Sequence, residues 1–251
     1  MGKISVVGIG PGSTDDMTYR AHRTIEEATA VVGYSRYIQL IADLVEGKKV
    51  LDTGMTQEID RCRAALEEAA AGENVVVISS GDAGIYGMAG LVLELLMKMD
   101  EDQRPEFGGV IPGVSAMSAA AGLLGAPIMH DFAVISLSDL LTPWELIQER
   151  AELAAKGDFV TVLYNPRSHK RVGQIKAVQE IFLHERTPET PVGIVTAASR
   201  EGENVLISTL GAFTKEDINM FSIVIIGNSK TKQNGQWMIT PRGYQKREPG
   251  L

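Results

Sequence analysis

The sequence predicts an α/β protein made of two successive α/β units, and three observations lead there. Short apolar, β-branched runs alternate with stretches of helical length, the pattern of a mostly parallel sheet. Several runs end in glycine-rich turns, above all Val75 to Gly87, VVVISSGDAGIYG, where a buried strand enters a tight loop and then a helix. Around Gly125 to Pro127 the pattern pauses and restarts, which divides the chain into domains 1–126 and 127–251. With 251 residues, 44% of them hydrophobic, there is ample material for a core.

In chain order, Ile4 to Val7 reads as the first buried strand, followed by Gly8-Ile9-Gly10-Pro11-Gly12-Ser13. That segment departs from the dinucleotide fingerprint. Ser13 replaces the third glycine, and the next strand, Ala30 to Gly33, is followed by Tyr34 and Ser35 rather than an acid for a ribose. Pro11 also removes an amide that a pyrophosphate would use, so NAD is disfavoured. A helix capped by Asp15 or Asp16 runs to Ala28. Then come helical Ile38 to Leu44, a strand at Lys49 to Leu51 and a charged helix from Thr56 to Ala71, ended by Gly72. Val75 to Ser79 is the organising strand, and Met88 to Met99 an apolar helix with Met88, Met97 and Met99 as core filler. Phe107 to Ile111 is a strand that turns through Pro112-Gly113-Val114-Ser115-Ala116 into a helix of small residues. In the second half, Phe132–Ser136, Phe159–Tyr164, Val192–Thr196, Val205–Thr209 and Phe221–Ile226 read as strands, with helices at Pro143–Ala155 and Gly173–His184. Two such units would form a cleft, a common place for small-molecule sites, and ligands of open α/β sheets sit at the carboxyl ends of the strands.

Composition excludes several classes. A net charge of -8 argues against general binding to nucleic acid or an anionic membrane. The single cysteine, Cys62, rules out an internal disulfide framework or an all-thiolate metal cluster and suits a reducing compartment. The start, MGKISVVGIG, enters a strand at once and lacks the features of a signal peptide, so a cytoplasmic location is expected. Gly108 to Met129 holds no charged residue and is long enough to span a bilayer, but Pro112 and Pro127 interrupt it and its small residues suit tight packing in a core.

GIGPG at 8–12, SGDAGIYG at 80–87, PGVSA at 112–116 and PVGIVTAAS at 191–199 resemble, in order and approximate spacing, the tetrapyrrole (corrin/porphyrin) methylase family. The resemblance covers nearly the whole chain. LYNPRSHKR at 163–171 and MITPRGY at 238–244 look like the precorrin-3B C17-methyltransferase branch, which includes the cobalt-factor III enzymes. The resemblance implies two α/β domains with S-adenosyl-L-methionine held in the cleft, and a homodimer. It implies cofactor contacts at Gly81, Asp82, Ala83 and Ile85, with Tyr86 close by. Ala83 stands where the family's Gly-Asp-Pro motif has proline, which on paper loosens the loop. Ser115 and Ala116 match a pair that meets the methionine portion, Tyr164 a residue lying over the cofactor, and Ala198 a small residue that admits the adenine. Pro11, counted with the cofactor contacts, belongs to the loop that shapes the floor of the substrate trough.

Methyl transfer from a sulfonium to carbon needs alignment and exclusion of water rather than a metal. The ring contraction associated with this branch would gain from a general acid or base, and His130 beside Asp131 in IMHDF is the candidate pair, with a polar hinge as the other reading. A tetrapyrrole at this stage is a polycarboxylate, so basic residues must line its trough in an acidic protein. Arg167 and Lys170, after a strand end, are the first choices, with Arg242 behind them. Other methylases of the superfamily, acting on uroporphyrinogen III, another precorrin, diphthine or ribosomal RNA, are the alternatives. A ligand-binding module without catalysis is the alternative from a different class.

Overall fold

The computed structural model describes residues 1–54, 57–244 and 247. The expected helix start at Thr56 lies outside the described residues. Contacts divide the chain into Met1–Ala116 and Met117–Leu251. The division falls ahead of the pause at Gly125 because the small-residue helix, although it follows the first sheet, packs with the second unit. Leu124 at its end occupies the space where a side chain on Gly193 would lie.

The first unit is a five-stranded sheet of β1 (Lys3–Gly8), β2 (Ala30–Tyr34), β3 (Lys49–Thr53), β4 (Asn74–Ser79) and β5 (Glu106–Ile111), in the order β3-β2-β4-β1-β5. All its pairings are parallel. Between the strands lie α1 (Tyr19–Glu26), α2 (Ser35–Gln39), α3 (Ala42–Val45), α4 (Glu58–Ala70) and α5 (Ala89–Leu96). The middles of β1, β2 and β4 are buried and mostly apolar because the sheet is covered on both faces. Ile4, Val6, Val32, Val75 and Val77 pack with α4 and α5 on one face, and Val7, Val31, Val76 and Ile78 with α1 on the other. Strand alternation makes this division. Cys62 is in the first of these cores, and burial pushes its thiol up to about 11, which keeps it protonated and inert.

Two local readings change. Asp15 and Asp16 belong to a short 3-10 turn over Thr14–Asp16, capped by Ser13, whereas α1 starts later and is capped by Thr18, whose Oγ1 accepts from the Ala21 amide at 3.1 Å. A hydroxyl one residue before the helical φ/ψ run satisfies an amide that the earlier carboxylates cannot reach. Met97 is exposed on the surface of α5, while Met88 and Met99 pack against the core as expected.

The second unit opens with α6 (Ala116–Leu124), the last residue of the first unit being its first, and the short β6 (Gly125–Ala126). β7 (Phe132–Ser136), α7 (Trp144–Lys156), β8 (Val160–Tyr164), α8 (Gln174–Leu183), β9 (Pro191–Thr196), β10 (Asn204–Thr209) and β11 (Ser222–Ile226) follow, and β12 (Lys232–Asn234) and β13 (Trp237–Ile239) end the strands. The larger sheet has the order β10-β9-β11-β8-β7, and β13 links β12 to β6 in a three-stranded sheet. Only β7 and β8 pair in parallel in the larger sheet; β8–β11, β11–β9 and β9–β10 are antiparallel. The expectation of a mostly parallel sheet therefore holds for the first unit and not for the second. The segment between Thr196 and Asn204 is too short to carry a crossover helix, so β10 folds back on β9 as a hairpin. Ile135, Leu163, Val192, Ile194 and Val224 form a core with α7 and α8. Among the described residues no helix is long and apolar enough to cross a membrane, and the uncharged stretch from Gly108 contains the short α6.

Candidate active site

In the first unit the strand ends of β1, β4 and β5 are tied into one knot of backbone. Gly10 and Gly81 exchange hydrogen bonds, with the Gly81 amide donating to the Gly10 carbonyl at 2.7 Å and the Gly10 amide to the Gly81 carbonyl at 3.2 Å. This seats the loop of the buried Pro11 against the loop after β4. Asp82 then joins the third strand end: its Oδ1 accepts from the Gly84 amide at 2.8 Å and its Oδ2 from the Gly113 amide at 3.1 Å. One carboxylate thus satisfies donors in two loops, and such charge-assisted bonds are the strong ones. Gly113 lies so close that a Cβ there would stand 2.2 Å from the Gly81 carbonyl oxygen and 2.7 Å from the Gly8 carbonyl carbon. Gly81, at φ 67°, has space for its missing Cβ only 3.4 Å from the Ala116 amide nitrogen. Gly81, Asp82, Ser115 and Ala116 are therefore neighbours, as the sequence motifs imply.

Ala83 is fully buried in the core, and its carbonyl accepts from the Ala89 amide at 3.0 Å at the start of α5. The loop is not loosened by the absence of proline, because backbone bonds on both sides hold it; the Ile85 amide also donates to the Asp82 carbonyl. The methyl of Ala83 packs in the core, and no part of the residue is exposed. Tyr86 is more than half exposed and has a left-handed φ of 51°.

In the second unit β7, β8 and β9 point the same way, since β7 is parallel to β8 and both β8 and β9 are antiparallel to β11. Their carboxyl ends share one sheet edge. Tyr164 ends β8 there, and its hydroxyl accepts from the Met117 amide at 3.1 Å, one of the amides that the first turn of α6 cannot satisfy internally. Ala198, after β9, sits between Ala197 and Ser199, whose φ values are 53° and 59°. Asn165, after β8, is at 50°. Tyr86, Asn165, Ala197 and Ser199 thus place left-handed non-glycine backbone in three of the loops that the motifs single out, and such conformations persist where the surroundings impose them. The fifth residue of this kind, Asp158, lies at the opposite sheet edge, where it accepts from the amide and hydroxyl of Ser229.

The basic loop after β8 is held by a residue other than those expected to bind substrate. Arg171 is buried; its Nη2 donates to the Asn165 carbonyl at 3.1 Å and its Nη1 lies 4.0 Å from Asp139. Arg167 is half-buried and Lys170 exposed, both available at the edge that carries Tyr164. Nothing in the sequence distinguishes the arginine that folds inward from the one that stays out. Arg186, buried under Asp158 with bonds to the Gly227 and Phe159 carbonyls at 2.6 and 2.7 Å, serves the opposite edge; burial lowers its guanidinium pKa and Asp158 opposes that.

His130 and Asp131 do not join the other candidates of the second unit. They precede β7, at the amino end of the strand, so the length of β7, about 16 Å at ~3.3 Å per residue, separates them from Tyr164. Both are exposed, and His130 Nδ1 accepts from the Asp131 amide at 2.8 Å. The Asp131 carboxylate lies 3.7 Å from the same nitrogen. Arg242 is exposed two residues beyond Thr240, whose hydroxyl meets that of Thr231 at 2.8 Å just past the end of β11. β11 runs against β8, which puts Arg242 beside the edge opposite Tyr164 rather than with Arg167.

Residues 3–214 match the family model of tetrapyrrole (corrin/porphyrin) methylases. The chain belongs to the tetrapyrrole methylase family. It is 50% identical over 241 residues to the probable cobalt-factor III C(17)-methyltransferase of Salmonella typhimurium, a match covering 96% of this chain and 99% of that one. It is 48% identical over 249 residues to the cobalt-factor III methyltransferase of Priestia megaterium, where 98% of this chain matches 46% of the other. The chain thus spans about half the length of the Priestia relative. Among solved structures, the methyltransferase CobJ aligns with a TM-score of 0.90 at 39% identity over 96% of this chain and all of that one. A cobalt precorrin-4 methyltransferase, at 22% identity and a TM-score of 0.74, shares the tetrapyrrole methylase fold.

Tyr164→Phe should cost about 1 kcal/mol, the net value of one hydrogen bond, and speed amide exchange at Met117. A variant as stable as the parent, with Met117 equally protected, would show that the hydroxyl does not hold the start of α6.

Proposed function

We propose that this chain is an S-adenosylmethionine-dependent C-methyltransferase of cobalamin biosynthesis, methylating C17 of a precorrin-3-type ring, with ring contraction. The observation that carries the reading is the end-to-end match with the Salmonella relative, which includes the loops just described. The names of the Salmonella and Priestia relatives favour cobalt-factor III over the metal-free precorrin-3B. Cytoplasmic location and homodimerisation belong to the same reading through the family resemblance.

The charge pattern supports it. The segments 8–13, 80–87 and 112–116 contain one charged residue, Asp82, and no basic one, a set that suits a cationic sulfonium. The loop 165–171 contains Arg167, His169, Lys170 and Arg171, a set that suits a polycarboxylate. The cofactor supplies a methyl group on sulfur, which leaves without the C–S bonding pair as the ring carbon donates its own pair to form the new C–C bond. The knot at Gly10, Gly81, Asp82 and Gly113 presents rigid backbone to the donor, and Tyr86, Ser115, Ala116, Tyr164 and Ala198 are its other proposed contacts. Arg167 and Lys170 orient the acceptor through its carboxylates. Holding the two reactants in line is the larger part of the catalysis. The proposal routes no proton through His130 or Asp131, and Arg242 has no assigned contact in it.

The test is anaerobic incubation with methyl-labelled S-adenosylmethionine and either cobalt-factor III or precorrin-3B, followed by mass spectrometry. One methyl added to cobalt-factor III is the expected product. Methyl transfer to neither, with S-adenosylmethionine bound, would replace the reading with another tetrapyrrole or with a binding module. Arg167→Ala should weaken the pigment about tenfold, the value of one charge-assisted contact, and leave the affinity for S-adenosylmethionine within twofold.

A further inference from the structure

The loop after β7 ends in an unusual pair. Leu140 is 79% and Leu141 98% exposed, side by side on one loop. Single exposed leucines are ordinary, but two adjacent ones held out from the surface call for a ligand or partner. The residue just before them is tethered on both sides: Asp139 accepts from Gln174 Nε2 at 2.9 Å and lies 4.0 Å from Arg171 Nη1. A second tie runs beneath it, where Asn165 Nδ2 donates to Ser136 Oγ at 2.9 Å. The loops after β7 and β8 are therefore one construction at one sheet edge, with two leucines on one limb and the exposed Lys170 and half-buried Arg167 on the other.

We propose that Leu140 and Leu141 form an acceptor-binding element, covering the apolar face of a flat macrocycle whose peripheral carboxylates meet Arg167 and Lys170. The inference rests on the tetrapyrrole reading above. Apolar contact beside cationic donors is the complement of that ligand class. Asp139 is a positioning residue in this arrangement. Its bonds to Gln174 and Arg171 set the leucine loop against the basic loop, and the same Arg171 fixes the Asn165 carbonyl at the start of the basic limb.

The experiment compares the full chain with the double variant Leu140→Ser/Leu141→Ser, which removes exposed apolar side chains and puts no core packing at risk. Cobalt-factor III is titrated anaerobically by absorbance, S-adenosylmethionine by calorimetry, and the mass is read by light scattering. The expected result is a pigment Kd raised tenfold or more, with the S-adenosylmethionine Kd within twofold and the mass unchanged. Asp139→Ala should raise the pigment Kd in the same direction, and Asp139→Asn, which keeps an acceptor for Gln174, should recover part of the loss. A double variant that binds the pigment as the parent does overturns the inference. So does a fall in mass with pigment binding intact, which would assign the leucines to a second copy of the chain. If the parent itself binds no tetrapyrrole, the functional reading fails first and takes the inference with it, a result distinguishable from failure of the variant alone.

Discussion

Gly113→Ala should remove S-adenosylmethionine binding while leaving both sheets formed. The added methyl would lie 2.2 Å from the Gly81 carbonyl oxygen and 2.7 Å from the Gly8 carbonyl carbon. Both are main-chain atoms, Gly8 at the end of β1 and Gly81 in the bridge to Gly10, so neither can turn aside as a side chain would. Overpacking against yielding neighbours costs about 1–3 kcal/mol, and rigid backbone puts this case at or above the upper end. The expected loss of about 3 kcal/mol corresponds to a fall in Tm of roughly 6–12 °C for a chain of this size. Relief comes from displacing the loop 112–116, which carries Ser115 and the start of α6, and the Kd for S-adenosylmethionine should rise at least a hundredfold. Calorimetric titration and thermal melting give the two numbers. Binding within threefold of the parent would mean that the three strand ends can separate without cost to the site.

Asp82→Asn should be nearly as severe, although it is the smallest possible change of side chain. Each carboxylate oxygen accepts one amide, Gly84 at 2.8 Å and Gly113 at 3.1 Å. An asparagine has one accepting oxygen and one donating nitrogen. Whichever way it turns, one backbone amide faces a donor and loses its partner. With bonds to a charged acceptor worth about 1.5–3 kcal/mol and an added penalty for the stranded amide, a loss of about 3 kcal/mol is expected. The local turn at Gly84 should keep the oxygen, so the Gly113 loop is the one released. S-adenosylmethionine affinity should then fall at least tenfold, while Asp82→Ser, which cannot bridge the loops at all, should fall further. If asparagine binds the cofactor as aspartate does, Asp82 is not the bridge that orders the loops.

Asp82 also shows where sequence reading meets its limit. The motif marks the residue as a fixed acceptor near a ligand, and the structure spends both of its oxygens on the protein's own amides. Its part in the site is to set the shape of two loops. Ala83 changes meaning in the same way: its place in the motif implies contact, but its side chain is core and the whole residue is buried. In the basic loop, Arg167 and Arg171 are equivalent as letters. The left-handed turn at Asn165 and the acceptor at Asp139 draw Arg171 inward and leave Arg167 at the edge.

What the sequence determined by itself is the set of elements and the family. Strands buried on both faces read as unbroken apolar runs, and every strand expected from such a run is present. Loops that approach other backbone favour glycine, as at 8–12 and 80–87, and four motifs in order led to the methylase family that the family model matches. What only the tertiary structure decided is which strand ends share an edge. That depends on pairing direction between residues far apart in the chain, and direction is invisible to local periodicity. The antiparallel pairing of β11 with both β8 and β9 puts Tyr164, Ala198 and the basic loop at one edge and leaves His130, Asp131 and Arg242 beside the opposite edge. The three short strands β6, β12 and β13 escaped notice for the same reason, since segments of two or three residues carry no period and exist only because distant partners complete their hydrogen bonds.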